Sequence, residues 1–400
     1  MLIIYRAGSF ITVPFINAEV VKSFVSSGSL FGFLDLMSGG AFQNFTIFAM
    51  GVIPYINSSI IMQLLTVAIP KLEQMSKEGE DGRKRIAQIT RYGTVVLGAI
   101  QATGISLTIR VQGAMTRSSG FYVFLVVLTL VAGTSFLMWL GEQITDKGIG
   151  NGISLLIFIS ITSRYPSMVS KINGLVSAGT SNAFEVSIFV IAVLLIVVAV
   201  VAMDMGERRI PVQYAQKVVG RKLYGGQSTH IPINVNSASV IAIIFAMSFM
   251  QVPQTIASFF PNASWVKYFS TGGILGSDSW LYISIYFLLV LFFTWFYIGI
   301  TFDTKEMADN LKKYGGFIPG IRPGKPTMDY IEVILNRVTL VGGIFAGFIA
   351  LMPYLLDKYT GLKGLQFGGT SILIVVGVAL ETAKDIEAQM TMRHYQGFLK

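Results

Sequence analysis

NFTIFAMGVIPYINSSIIMQLLTVAI, residues 44–69, runs without a single Asp, Glu, Lys or Arg. A helix needs about 20 mostly apolar residues to cross the hydrocarbon of a bilayer, and this stretch supplies them. Its apolar side chains are continuous rather than alternating, which argues against a barrel strand. Within it sit Pro54, Asn57, Ser58, Ser59 and Gln63. Proline is tolerated in a membrane helix where neighbours satisfy the freed carbonyl. The amides and hydroxyls require partners or water. They read either as hydrogen bonds between helices or as a water-facing, movable interface.

The same pattern recurs along the chain. Spans are predicted at 43–69, 90–109, 119–144, 151–171, 184–205, 237–260, 279–302, 333–356 and 368–388. Before them, Met1–Pro14 is apolar with one Arg6 and lacks the basic region and small-residue cleavage site of a secretory signal. It reads as the end of a first helix whose beginning is missing. Over 400 residues, 53% are hydrophobic and 13% charged, with a mean hydropathy of +0.65. An average soluble domain carries roughly 25% charged residues. The solvent is therefore lipid, and the fold class is an all-α polytopic membrane protein of ten helices. No Pro/Gly/Ser linker divides it into globular parts. Cysteine is absent, and His230 and His394, the two histidines, lie in polar segments. Neither a disulfide nor a metal centre is expected.

Charge then orients the chain. Loops 70–89 (with Arg91), 145–149, 204–236 and 303–337 and the tail from Lys384 hold 21 Lys and Arg, against 8 in the alternate loops and helix ends. By the positive-inside rule the first set, with both termini, faces the cytoplasm. Loops 204–236 and 303–337 exceed 30 residues each, more than orientation alone requires. Long, basic, mixed-charge loops suit the docking of a large partner, acidic or RNA-containing.

The interiors of the spans exclude other classes. Ionisable residues are nearly missing there; Glu142 and Glu381 lie near helix ends. That argues against an ion-coupled transporter, which keeps a buried relay. Gly148–Gly152 lacks the nucleotide-binding fingerprint and reads as a tight turn into the fifth span. No Ser/His/Asp constellation is available, so no enzyme is expected. The seventh span repeats the polar theme with Ser248, Gln251, Pro253, Gln254 and Thr255, so the second and seventh spans could face each other. Ser29–Gln43, SLFGFLDLMSGGAFQ, is moderately apolar with one acid and a Gly39-Gly40 break. It reads as a plain external loop or as a half-length re-entrant element.

Longer strings carry a resemblance. GVIPYINSSIIMQLL (51–65), KEGEDGRKRIAQITRYGT (77–94), FLMWLGEQITDKGIGNGIS (136–154), YGGQSTHIPINVN (224–236), MADNLKKYGGFIPGIRPGK (307–325) and FGGTSILIVVGVALE (367–381) resemble the SecY family, the central subunits of the bacterial protein-conducting channel. The resemblance implies two inverted five-helix halves, 1–171 and 172–400, around a central pore. It implies a ring of aliphatic side chains at the constriction: Val52, Ile56, Ile153, Ile157, Ile244 and Ile374. Ser29–Gln43 becomes the plug. The polar faces of spans two and seven become a lateral gate, with Asn57, Gln63, Ser248 and Gln251 as candidates for closing it. Loops 204–236 and 303–337 become docking sites for the SecA ATPase or the ribosome, with Arg221, Lys222 and Arg322 at their basic positions. Unfolded preproteins and signal sequences are the implied substrates, and lateral release into membrane lipid is implied for membrane spans. SecE and SecG are the implied partner subunits, the bacterial plasma membrane the location, and no cofactor is implied. Two features depart from the family: the short first span, and Ala242 where proline is common, which bears on the kink of span seven and the aim of Ile244.

Overall fold

In lipid a backbone must satisfy its own hydrogen bonds, so long apolar runs fold as helices. A computed structural model describes residues 1–27, 35, 37–117, 119–177, 182–214, 217–219, 222–224, 228–236, 239–259, 266, 268, 273, 275, 276, 279–359 and 369–397. Its helices are α1 (Leu2–Gly8), α2 (Ala18–Ser27), α3 (Ile53–Ala68), α4 (Pro70–Lys77), α5 (Glu80–Val111), α6 (Gly120–Lys147) and α7 (Gly152–Thr162). They continue with α8 (Tyr165–Ser177), α9 (Ala183–Asp204), α10 (Ser239–Phe259), α11 (Trp280–Thr301), α12 (Thr304–Lys313), α13 (Lys325–Tyr359) and α14 (Gly369–Gly397). The apolar start and each predicted span coincide with one of these or with a consecutive pair. Among the described residues, six stretches are long and apolar enough to cross a membrane, and α3 with α4 is a seventh if that pair counts as one. The chain is a multi-span, helical membrane protein. Helix α9 is apolar on every side, with Phe184, Ile191, Leu195 and Val198 exposed, as a lipid-facing helix requires.

The second span departs from its predicted bounds. Helix begins only at Ile53, with Val52 at the N-cap and Pro54 in the first turn. Pro54 therefore starts a helix, where its missing N–H costs nothing, rather than interrupting one. Residues 38–52 form a run of turns instead. This irregular backbone is buried, with Phe42, Phe45 and Ala49 almost fully covered. It is satisfied partly by residues 11–13: Val13 N–H donates to the Phe45 carbonyl and Ile47 N–H to the Ile11 carbonyl, each at 2.9 Å. At the other end the chain bends by 101° between α3 and α4. Pro70 forces the preceding Ile69 out of the helical region, to φ −110° and ψ 112°.

Helices α6 and α7 lie close because Gly152 has no side chain; a Cβ there would strike the Gly141 carbonyl. Gly150 takes φ +72°, and Asn151 Oδ1 caps α7 by accepting from the Ile153 and Ser154 N–H groups at 3.0 and 3.1 Å. Gly148–Gly152 is thus the turn into the fifth span. Helix α10 runs unbroken through Ala242, which is fully buried.

Both long basic loops carry strands, which the sequence reading leaves as loops. β1 (Glu207–Tyr214), β2 (Lys217–Val219), β3 (Lys222–Tyr224) and β4 (Ser228–Asn234) lie in the first and β5 (Gly316–Phe317) in the second. β1 pairs antiparallel with β4 and, at Gln213 and Tyr214, with β5, so one sheet joins the two loops. Ile210, Val212 and Ile233 pack beneath it on Leu311 of α12, Ile298 of α11 and Ile331 and Leu335 of α13. The result is a small platform rooted on two spans. Elsewhere the apolar core falls into three clusters: one joining α9, α10, α11, α13 and α14 to Ile60 of α3, one around α3, α6, α7 and α14, and one joining residues 13–50 to α5 and α6.

Candidate functional site

Four helices bring aliphatic side chains to one place. Val52 and Ile56 come from the start of α3, Ile153 and Ile157 from α7, Ile244 from α10 and Ile374 from α14. Each i,i+4 pair shares one helix face. All six belong to a single apolar cluster, in which Val52, Ile157 and Ile374 are 4%, 3% and 1% exposed while Ile56, Ile153 and Ile244 are partly buried. Ile244 reaches this cluster, and also the one centred on α10 and α11, from a helix that is continuous through Ala242.

Four of the six, Ile56, Ile153, Ile157 and Ile244, also line a cavity of about 420 Å³. Its far wall is polar, with Arg91, Glu142, Asp146 and Asn151. Arg91 and Glu142 form an ion pair at 2.7 Å across α5 and α6. The cavity therefore lies between the basic side of the protein and the aliphatic cluster, which forms its floor. The sequence reading notes Glu142 but misses this pair. The available signal was opposite charge at the same end of consecutive spans.

On the other side of the cluster lies the predicted plug. Residues 29–34 and 36 of that stretch are outside the described residues. Met37 and Ala41 pack into the ring cluster itself. Asp35 is buried, with its side chain 2.8 Å from the Arg164 guanidinium, a contact whose angle misses that of a hydrogen bond. Its Oδ1 accepts from the Gln43 N–H at 2.7 Å. Burial pushes the Asp35 carboxyl up from the ordinary carboxylate range, while Arg164 and the Gln43 N–H pull it back. Gly39, at φ +66°, rests against the backbone of Ser160 in α7, where an added Cβ would sit 2.9 Å from both Cα and the carbonyl oxygen. The Tyr5 hydroxyl of α1 pairs with Ser160 Oγ, and Arg6 Nη1 donates to the Gly39 carbonyl at 3.1 Å.

Helices α3 and α10 touch, as the polar stripes of spans two and seven suggested. The four candidate side chains are not joined there. Asn57 Oδ1 and Gln251 Nε2 are buried without a hydrogen-bond partner; Ser248 is half-buried; Gln63 is exposed and lines the cavity. Ser58, beside Asn57, donates instead to the Thr90 carbonyl of α5 at 2.8 Å. On the platform, Arg221 lies outside the described residues, and Lys222 opens β3 in a short hairpin with β2. Arg322 is exposed at a tip held by Gly320 (φ +82°) and Gly324 (φ +103°), with its carbonyl accepting from Thr327 Oγ1 at 2.9 Å.

An aliphatic cluster beside a cavity that also holds charged side chains, inside a helical bundle with a platform on one face, is an arrangement that suits a membrane channel. The SecY family model matches residues 46–383. The protein translocase subunit SecY of Halalkalibacterium halodurans is 47% identical over 414 residues, covering 100% of this chain and 95% of that protein. Two solved structures share the fold. One is of a SecY protein whose plug domain stabilises the closed state of the translocation channel (TM-score 0.67, 19% identity, 97% of this chain and 90% of that one). The other is Sec61 in the canine ribosome–channel complex from the endoplasmic reticulum (TM-score 0.64, 17% identity, the same coverage). The chain belongs to the SecY family of protein-conducting channels.

Proposed function

We propose that this chain is the pore subunit of a general secretory translocase, conducting unfolded preproteins outward across the bacterial plasma membrane and releasing membrane spans sideways into lipid. The observation that carries this reading is the convergence of six aliphatic side chains from four helices in one apolar cluster, four of them lining the adjoining cavity. Such a ring holds no ion or solute strongly and excludes water when narrow. Its contacts are non-directional, so it can close around an extended polypeptide of any sequence. Val52, Ile56, Ile153, Ile157, Ile244 and Ile374 form that constriction, and the segment around Met37 and Ala41 stops it from the outside.

The chain divides near residue 171 into two halves that part along α3 and α10, with Asn57, Gln63, Ser248 and Gln251 on the seam. The platform faces the cytoplasm, as do both termini. It receives the SecA motor or the ribosome through Arg221, Lys222 and Arg322, whose cations suit carboxylate or phosphate. SecE and SecG complete the complex, and SecA or the ribosome supplies the driving force. The test is a photoreactive residue at Ile153 with a secretory preprotein arrested in passage. An adduct that depends on the signal sequence and SecA is expected. Its absence in an export-competent complex would overturn the ring assignment.

A further inference from the structure

Asp35 is the only acid between Glu19 and Glu73. It lies in a stretch outside the predicted spans whose described residues are mostly buried. Its side chain is 1% exposed and that of Arg164 16% exposed, with 2.8 Å between them. Arg164 follows α7, whose inner end supplies Ile153 and Ile157 to the ring. The pair therefore ties the stretch outside the ring to the helix that builds the ring. Two further contacts converge on the same end of that helix. Tyr5 meets Ser160, and Gly39 lies on the Ser160 backbone. Asp35 and residues 37–43 are thereby held between α1 and α7, with Met37 and Ala41 packed into the aliphatic cluster.

A buried ion pair contributes little net stability, because both charges lose water. It is nonetheless intolerant of losing one member, since the remaining charge is left uncompensated. That asymmetry makes it a positioning device. We propose that the Asp35–Arg164 pair is a latch that seats Asp35 and residues 37–43 against the ring in the resting channel, and that Arg164 is the positioning residue for closure. Without Arg164, the Asp35 carboxylate regains a favourable environment only by leaving its pocket toward water, and the residues around it leave with it. A polypeptide entering the pore must break the same pair, so its strength sets how readily the resting channel opens. The inference rests on the reading of the aliphatic cluster as the constriction.

The experiment is ionic conductance of the complete channel complex in planar bilayers, with neither preprotein nor motor present. Arg164→Gln is expected to raise the resting conductance by about tenfold or more, the direction set by an uncompensated buried charge. The double variant D35N/R164Q removes both charges and is expected to return within about twofold of the parent. A merely structural role for Arg164 would not give that rescue. Ile157→Ser, which wets the ring directly, serves as the positive control. A tight R164Q channel beside a leaking Ile157→Ser channel overturns the latch and leaves the ring reading intact. A double variant as leaky as R164Q also overturns it. A tight Ile157→Ser channel overturns the ring reading, and the latch falls with it. Should R164Q fail to assemble, D35N, which leaves no buried anion, answers the same question: conductance above the parent supports the latch, and parental tightness overturns it.

Discussion

Two places in the interior of this protein hold buried polar groups and treat them differently. Where Asp35 and residues 37–43 meet α7, each group has a counterpart: Asp35 lies 2.8 Å from the Arg164 cation and accepts from the Gln43 N–H, Tyr5 pairs with Ser160, and Arg6 donates to the Gly39 carbonyl. Where α3 meets α10, Asn57 Oδ1 and Gln251 Nε2 are buried without partners. A buried charge beside its counter-ion favours the geometry that keeps the two together, whereas a buried polar group with no partner at all favours any state that gives it one. The first arrangement suits a part that must stay seated until it is displaced. The second suits a seam that must part for a passing segment and close again behind it.

The sharpest way to break the comparison is at Gly39. A side chain there meets a left-handed φ of +66° and the Ser160 backbone at 2.9 Å. Backbone strain of this kind costs on the order of 1–3 kcal/mol, and a main-chain neighbour cannot move aside as a flexible side chain would. Gly39→Val is therefore expected to lower the thermal midpoint of the purified complex and to open a resting ion leak. Gly40 is the internal control, with φ +87° and open space around it. Gly40→Ala is expected to cost only about 1 kcal/mol and to leave the leak unchanged. Equal effects at the two positions would mean that the seat is not tight.

The seam gives the next largest effect, with the opposite sign. Asn57→Leu removes a buried oxygen that has no partner, and relief of that desolvation is worth about 1–3 kcal/mol to the closed seam. Lateral insertion of membrane spans is expected to slow while secretion of soluble preproteins is spared, read as the ratio of the two in proteoliposomes. An unchanged ratio would remove Asn57 from the gate. The adjacent Ser58 sharpens the contrast, because its hydroxyl is already paired with the Thr90 carbonyl at 2.8 Å. Ser58→Ala is expected to destabilise by about 1 kcal/mol without moving that ratio, since the lost bond lies between α3 and α5 rather than at the seam.

How far these features can be read from sequence depends on how local they are. The spans follow from runs of apolar residues, but several helices outrun them: α5 begins at Glu80 rather than 90, α13 at Lys325 rather than 333, and α14 reaches Gly397 rather than 388, because hydropathy does not register a helix that continues into polar sequence. The first third of the second span is not helical at all, because hydropathy cannot tell a helix from buried turns whose Phe45 carbonyl and Ile47 N–H are paired with Val13 and Ile11. The platform strands had a local signal that went unused: Ile210 and Val212, like Ile231 and Ile233, alternate with polar or proline neighbours at period two. The ring is different in kind. Spacing shows that Ile153 and Ile157 share a face, but only the family resemblance joins them to Ile244 and Ile374. The Asp35–Arg164 contact joins segments far apart in sequence and leaves no periodic trace. A lone acid in an apolar stretch and a lone arginine after a span were the only hints.

The smallest effect on the fold, and the most selective on function, is expected at Arg322. This side chain faces water on the platform rather than a buried partner. The tip beneath it is shaped by the main chain, through the positive φ angles of Gly320 and Gly324 and the bond from Thr327 Oγ1 to the Arg322 carbonyl. Arg322→Ala leaves all of these in place, so stability should change by less than about 0.5 kcal/mol. If the guanidinium contacts a docking partner, its charge-assisted hydrogen bonds are worth about 1.5–3 kcal/mol, or roughly 10- to 100-fold in affinity. The measurement is a binding titration of SecA and of ribosomes against the reconstituted complex, beside the thermal midpoint and the resting conductance. Weakened docking with both other readouts unchanged would place Arg322 at the partner interface. Unchanged docking by both partners would reduce it to a solvated surface cation, and the platform would then owe its grip to the two strand-bearing loops as a shape rather than to this charge.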